Sequence, residues 1–327
     1  MAAVPAVARA RGAHPKRPAP STGRAASARE RFRAEPPARD AAGERGQVTV
    51  THIDWNAEWT RLSDAREAAH DAAFWDRRAA DFRGGDEASP YVAGFIERVR
   101  LLPGESVLDA GSGSGTLALP LARAGHDVCA LDFSPAMLAV LRERAAGLGL
   151  VNVRTVLASW DDDWRAAGVE PAGVAVASRS LDVRDLRAAL LKLEAFARRR
   201  VCITLPADGL LYPSLLAREA LGRPVEPRGD AGLAAKVLGQ MGVAPEVSYL
   251  EHASASRYES REAALEELRR LVRPDGGAEE RALERYVAGH VVATTAAGGR
   301  RVWTQSPAIT VRWAFLVWDK SPGSRRI

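Results

Sequence analysis

Through the middle of the chain, short and almost wholly apolar runs alternate with segments whose apolar positions recur at helical spacing. The runs are the strand Ser106–Asp109, then "DVCALDF", "NVRTVLA", "VAVASRS" and "RVCITLP". Strands apolar on both faces, separated by helices, predict a parallel sheet covered on both sides. Ahead of them, from about Asp54, a helical stretch carries aromatics at helical spacing, among them Trp55, Trp59, Phe74 and Trp75. The break "RGGDEASP" follows, and then a helix near Tyr91–Val99. The last third is patterned differently. Helices are predicted around Leu210–Leu221 and Ala231–Met241, then a strand "PEVSYLEH". An amphipathic pair comes next, "SREAALEELRRLV" and "AEERALERYVAGHVVA", divided by the helix stop "RPDGG". The chain closes on "ITVRWAFLVWD", which alternates like a strand, and no internal repeat is visible.

Composition narrows this picture. A chain of 327 residues holds one large α/β domain with an appendage, or two modest ones, and needs no disulfide. Both cysteines, Cys129 and Cys202, sit in apolar strand-like runs and read as small core residues of a reduced, cytoplasmic protein. The net charge of +5 suggests a nucleic-acid binder only until it is divided. Residues 1–50 hold ten Lys/Arg and four Asp/Glu, or +6, which leaves −1 for the rest. Nucleic acid is therefore an unlikely partner of the folded part. No apolar run approaches the roughly 20 residues that span a bilayer, so no membrane is expected. Residues 1–46, rich in Ala, Arg and Pro, are expected to be a disordered tail before a domain at 47–327.

The candidate chemistry begins at "VLDAGSGSGTLALPLA", Val107–Ala122. The glycines form G-S-G-S-G, with Thr116 where a dinucleotide fingerprint of the form G-x-G-x-x-G has its last glycine. Crowded into the turn, Gly111, Gly113 and Gly115 suit a ligand that approaches the backbone without a pyrophosphate. Asp109 would repel a phosphate but attract an ammonium group. A second acid, Asp132, ends the next strand and is placed to hold two ribose hydroxyls. The segment "FSPAML" then starts a helix, with Ser134 as N-cap and Pro135 at the first position, and Phe133 and Met137 would flank an adenosine. An ammonium, a ribose and no phosphate point to S-adenosylmethionine.

On "VLDAGSGSG", "LDFSPAML" and the strand that follows, the chain resembles the class I S-adenosylmethionine-dependent methyltransferases over roughly residues 90–205. The resemblance implies a Rossmann-like, doubly wound α/β sheet of seven strands, mostly parallel, whose last strand is antiparallel. It also implies that Gly111, Ser112, Gly113 and Gly115 wrap the methionine part of the cofactor, that Asp132 binds its ribose, and that residues after the third strand bracket adenine. At that point the chain reads "LASWDDDW", so Ser159 or Asp161 would meet the adenine amino group and Trp160 would stack on the ring. "FWDRRAADF" is similar to the segment covering the cofactor in many small-molecule members, which would bring Trp75 and Arg78 near the methionine end. N-terminal helices at 50–100 and helical inserts at 207–243 and 259–300 would wall a substrate pocket.

The end of the fourth strand, facing the methyl, reads "VAVASRSLDV". Ser178, Arg179 and Ser180 stand where enzymes that methylate exocyclic amines of bases, or a glutamine amide, carry an Asn/Asp-Pro-Pro-aromatic turn, and no Pro-Cys turn is present. The expected reaction is therefore in-line methyl transfer to a small molecule. RNA or protein methylation and cofactor binding without turnover are the rivals. Arg179 would bind an acidic group or close an ion pair with Asp182 or Asp185, while His252, His290 and Tyr258 are the candidate bases. The sequence specifies no metal site, and it is silent on the acceptor atom and the oligomeric state.

Overall fold

The structure, a computed structural model, describes residues 53–65, 71–79, 89–225, 231–253, 256–296 and 298–320. The expected tail at 1–46 lies outside them. The sheet is built from β1 (Val107–Ala110), β2 (Val128–Asp132), β3 (Val153–Leu157), β4 (Ala172–Ser178), β5 (Ala197–Pro206), β6 (Glu246–Ala253) and β10 (Thr310–Asp319). Its order is β3-β2-β1-β4-β5-β10-β6. The pairs β1–β2, β1–β4, β2–β3 and β4–β5 are parallel, whereas β10 runs antiparallel to both β5 and β6. This is the expected seven-stranded Rossmann-like sheet, and all the strands read from the apolar runs form.

Each face of the sheet carries its own core, because the central strands are apolar on both sides. One face packs α3 (Pro90–Val99) and α4 (Ala118–Arg123) on Val107, Val128, Val174 and Val176. Phe95 of α3 meets Phe315 of β10 edge-on at 5.1 Å between ring centroids. Burying such a ring contributes on the order of 1.5–3 kcal/mol. The other face packs α6 (Leu186–Phe196), α8 (Ala231–Gln240) and Trp59 of α1 (Trp55–Asp64) on Leu108, Ala175, Val201 and Ile203. α1 is tied down by Trp59 Nε1, which donates to the carbonyl of Val183 at 2.8 Å, and by Asn56, whose Oδ1 accepts the Arg187 N–H at 2.8 Å. α8 thus covers the sheet rather than a pocket, which separates it from α7 (Tyr212–Leu221) within the expected 207–243 insert.

Between β6 and β10 the chain leaves the sheet for β7 (Arg257–Tyr258), α9 (Arg261–Val272), α10 (Gly276–His290), β8 (Val291–Thr295) and β9 (Arg301–Gln305). The expected helix pair is present, but the segment is not wholly helical. α10 ends at His290, and the β-branched run "VVATT" becomes β8 of a three-stranded sheet ordered β7-β9-β8. α9 and α10 pack against each other and against α7, with Leu268, Leu283, Val287 and Leu216 buried among them. No helix among the described residues is long and apolar enough to cross a membrane.

Candidate functional site

The strand order reverses between β1 and β4, and the parallel strands all end on one edge there, where ligands bind in open α/β sheets. The turn leaving β1 is fixed to β2: the N–H groups of Gly111 and Ser112 both donate to the carbonyl of Leu131, at 2.8 and 2.9 Å. All three glycines have positive φ, at 74°, 53° and 92°, and each meets different surroundings. A Cβ on Gly111 would stand 2.3 Å from Cβ of Ser180, and one on Gly115 would stand 3.0 Å from Leu119 and Leu141. A Cβ on Gly113 would meet nothing within 4 Å. Gly111 and Gly115 therefore serve packing, and Gly113 borders open space.

Asp132 holds this turn together. Its Oδ2 accepts the Gly113 N–H at 2.8 Å and its Oδ1 accepts the Ser134 N–H at 2.9 Å. Burial nevertheless raises its pKa against those hydrogen bonds. The acid expected to meet the ribose is the brace of the glycine turn. Ser134 caps α5 (Pro135–Gly147) by accepting the Met137 N–H at 3.1 Å, as the sequence predicted. Its hydroxyl donates to Asp76 Oδ1 at 2.6 Å, which docks α2 (Ala72–Arg78) on the start of α5. Trp75 then packs on Ala136, Met137, Val140 and Ala79. That seats it beside the start of α5, on the Asp132 side of the glycine turn. Phe133, next to Asp132, is half-buried.

Asp109 differs from Asp132. It is buried, its Oδ2 has no hydrogen-bond partner, and the adjacent Ser112 hydroxyl is likewise buried and unpartnered. Burial first, and the Asp132 carboxylate second, push its pKa up to about 7, opposed by the Ala118 N–H at the start of α4. Such an acid is costly unless a cation joins it. A carboxylate oxygen and a hydroxyl without partners, and open space at Gly113, together fit a ligand carrying an ammonium group.

Past β3 the loop is tightly organised. Trp160 Nε1 donates to the Ser180 carbonyl at 3.1 Å, Trp164 Nε1 to the Ser159 carbonyl at 2.8 Å, and the Ser159 N–H to Asp162 Oδ2 at 2.7 Å. Trp160 is thereby pinned to the turn after β4, and Ser159 and Asp161 to their own loop.

At the ends of β4 and β5, the structure assembles a group centred on Tyr91, a residue the sequence reading did not single out. Its hydroxyl bonds Ser178 Oγ at 2.7 Å and Thr204 Oγ1 at 2.8 Å. The Arg179 guanidinium lies 4.4 Å from its ring centroid, and the rings of His252 and Trp313 stand at 5.9 and 6.2 Å. Only its place after the Ser89 N-cap and Pro90 marked Tyr91 in sequence, and that signals a helix start, not a hydroxyl between two strands. Of the candidate bases, His252 joins this group. Tyr258 is buried within the insert, and the exposed His290 stacks on Tyr286 at 4.4 Å. Nor does Arg179 pair with Asp185, whose Oδ1 caps α6 by accepting the Ala188 N–H and also meets Asn56. Among the described residues no group of three or more His, Cys, Asp or Glu could hold a metal ion.

Residues 107–196, which run from the glycine turn to the end of α6, match the family model described as "Methyltransferase domain". Residues 107–196 thus carry a methyltransferase domain. An uncharacterized protein of Haemophilus influenzae is 38% identical over 132 residues, 40% of this chain and 48% of its own. A release factor glutamine methyltransferase of Cereibacter sphaeroides is 33% identical over 150 residues, 45% of this chain and 52% of its own. A ubiquinone biosynthesis O-methyltransferase of Hahella chejuensis is 33% identical over 87 residues, 27% of this chain and 35% of its own. The chain thus spans about half the length of the first curated relatives it matches. The match ends before β5, so α7 and the segment between β6 and β10 lie outside the matched residues.

Proposed function

We propose that this protein transfers a methyl group from S-adenosylmethionine to a small molecule. The observation that carries the reading is the buried Asp109 carboxylate, whose Oδ2 has no partner, beside the open space at Gly113. When bound, the donor supplies an electrophilic methyl on a sulfonium. Asp109 takes the ammonium of its amino-acid end, and Gly113 lets that end lie against the backbone. Asp132 holds the ribose with its remaining lone pairs, while Trp75 and Met137 wall the adenosine side together with Phe133 and Trp160. The reaction is an in-line displacement, so the residues around the methyl mainly align the acceptor and exclude water. Tyr91, Ser178 and His252 stand at the strand ends that face it, and His252 is the titratable side chain of that group best suited to take a proton.

A small acceptor is supported by the insert before β10. α7, α9 and α10 share one core with Tyr91 and Trp313, so they build on the Tyr91 side of the sheet. Ser178-Arg179-Ser180 also leaves no proline turn for an exocyclic amine. The relatives include both a protein-directed and a quinone-pathway enzyme by name, so RNA or protein remains the competing acceptor.

Transfer of labelled methyl from S-adenosylmethionine into host extract, fractionated into small metabolites, RNA and protein, tests the reading, with Asp132→Ala as control. Label among small metabolites, dependent on the intact protein, is expected. Label in RNA or protein would replace the acceptor class. Salt-sensitive activity lost on deleting residues 1–46 would point to the same rival.

A further inference from the structure

The group around Tyr91 contains two hydrogen-bond donors that the protein itself leaves unused. One is the Nε1–H of Trp313, a side chain only 7% exposed, which has no hydrogen-bond partner. A buried indole N–H ordinarily finds an acceptor, so one without it marks a place where a ligand supplies the acceptor. The other is the exposed guanidinium of Arg179, 4.4 Å from the Tyr91 ring centroid, with no carboxylate of the described residues paired to it. Stacked on a ring, a guanidinium keeps the edges of its planar fork free. The hydroxyl between the two donors is already spent. Tyr91 bonds Ser178 and Thr204, and Thr204 Oγ1 also accepts the Arg179 N–H at 3.1 Å.

The register puts both donors on one strand edge. Ser178 pairs with Thr204, and Pro206, two residues further along β5, pairs with Trp313. The ends of β4 and β5 and the start of β10 therefore stand side by side, on the edge where the reading above sets the methyl. The rings of His252 and Trp313 both stand edge-on to Tyr91, so the surroundings are flat apolar surfaces with donors at their rims. The acid that acts on Tyr91 is Asp109, and the donor reading already pairs it with an ammonium. An amine acceptor, arriving as an ammonium, would face the Arg179 guanidinium with no carboxylate left to receive it. An acidic oxygen meets the opposite conditions. It accepts from both donors, and a neighbouring guanidinium favours its ionised, nucleophilic form.

We propose that the methyl acceptor is an aromatic acid, a phenol or a carboxylic acid, methylated on oxygen and held by the Arg179 guanidinium and the Trp313 N–H. The proposal rests on the small-molecule reading above and narrows it to one acceptor atom. In the step, a lone pair of the ionised oxygen forms the bond to the methyl carbon. The carbon–sulfur bond breaks, and its electron pair goes to sulfur, which leaves as neutral S-adenosylhomocysteine. The negative oxygen and the sulfonium cancel, so no proton moves in the displacement itself. A carboxylic acid arrives already ionised, and a phenol gives its proton to His252 beforehand.

The test is to titrate the whole protein, saturated with S-adenosylhomocysteine, with benzoate, 4-nitrophenolate and benzylammonium. Binding is read by calorimetry and by the Trp313 indole N–H signal in a nitrogen–proton correlation spectrum, assigned by its loss in Trp313→Phe. At least one anion should bind about tenfold or more tightly than benzylammonium, and should move that signal. Arg179→Gln and Trp313→Phe should each weaken that anion by about fivefold or more. Their affinity for S-adenosylhomocysteine should stay at the wild-type value, which also shows that both variants fold. Tighter binding of 4-nitrophenolate assigns an ether product, and tighter binding of benzoate an ester. Anions that do not bind, benzylammonium that binds equally well, an indole signal that no anion moves, or full affinity in both variants would overturn the proposal and leave the donor site standing. Wild-type protein that does not bind S-adenosylhomocysteine would overturn the donor-site reading, and the proposal with it.

Discussion

The turn after β1 and the insert between β6 and β10 solve their folding problems by opposite means. The turn is local: three glycines with positive φ, a strand-end acid and a Ser-Pro helix start stand within residues 109–135, and each residue type is dictated by its own backbone geometry. The insert is held by partners far apart in the chain. Tyr212 of α7 donates to Gln305 of β9, whose Nε2 donates to the hydroxyl of Tyr286 in α10 at 3.1 Å. Arg223, after α7, reaches the carbonyl of Val272 at 3.0 Å and pairs with Glu279. The proposed donor site thus lies where the chain is locally constrained, and the insert is held by tertiary pairing alone.

Glycine substitutions should break the comparison most sharply. Gly111→Ala drives a Cβ into Ser180 at a φ suited to glycine, so urea unfolding should show a loss of about 3 kcal/mol or more. Gly113→Ala has room for its Cβ, so only the left-handed strain of about 1 kcal/mol should appear in stability. Its affinity for S-adenosylhomocysteine should nevertheless drop at least tenfold, and an unchanged affinity would remove Gly113 from the site.

Asp132→Ala should come next. It strips the acceptor from the N–H groups of Gly113 and Ser134, and weakening of S-adenosylhomocysteine binding by about 1.5–3 kcal/mol is expected by titration calorimetry. In the insert, Gln305→Leu should lower stability by about 1–3 kcal/mol, because it removes the hydrogen bonds that Gln305 makes to half-buried Tyr212 and buried Tyr286. Its affinity for S-adenosylhomocysteine should stay at the wild-type value, and a matching loss of binding would show that the two regions are not separable.

A further effect, independent of ligand, is one of pH. Burial and the Asp132 carboxylate push the Asp109 pKa up to about 7 when folded, against the ordinary 3.8 of an exposed aspartate when unfolded. Between those values the folded chain holds a proton that the unfolded chain has released. Stability without ligand should therefore fall as pH rises from about 4 to 7, then level off. Asp109→Asn should flatten that slope in urea titrations at pH 5 and pH 8. A slope retained in the variant would assign it to other groups.

Sequence alone disclosed the turn because its requirements are short-range. Ser134 and Pro135 could be read as a helix start, and Gly111 to Gly115 as a ligand turn, without knowing what lies opposite. Tyr91 could not be read in this way, since its hydroxyl matters only once Ser178 and Thr204 lie beside it. Asp132 was legible as an acid at a strand end, but its role in bracing Gly113 depends on how the two turns face each other. The three-stranded sheet escaped for a similar reason. β7 is only Arg257–Tyr258, and "VVATT" follows directly on a helical pattern, so its strand character emerges only from pairing with β9.

The antiparallel pairing of β6 with β10 has an evolutionary reach. The two strands are hairpin partners from Thr310↔Ala253 to Val317↔Glu246, and everything at residues 254–309 is, topologically, the loop of that hairpin. Each doubling of a loop costs only about 0.6 kcal/mol in closure entropy, so growth from a few residues to this length adds roughly 2–2.5 kcal/mol. A lineage can therefore exchange the whole excursion for another at modest cost to the sheet, leaving the glycine turn intact while the chemistry of the opening above it is rewritten.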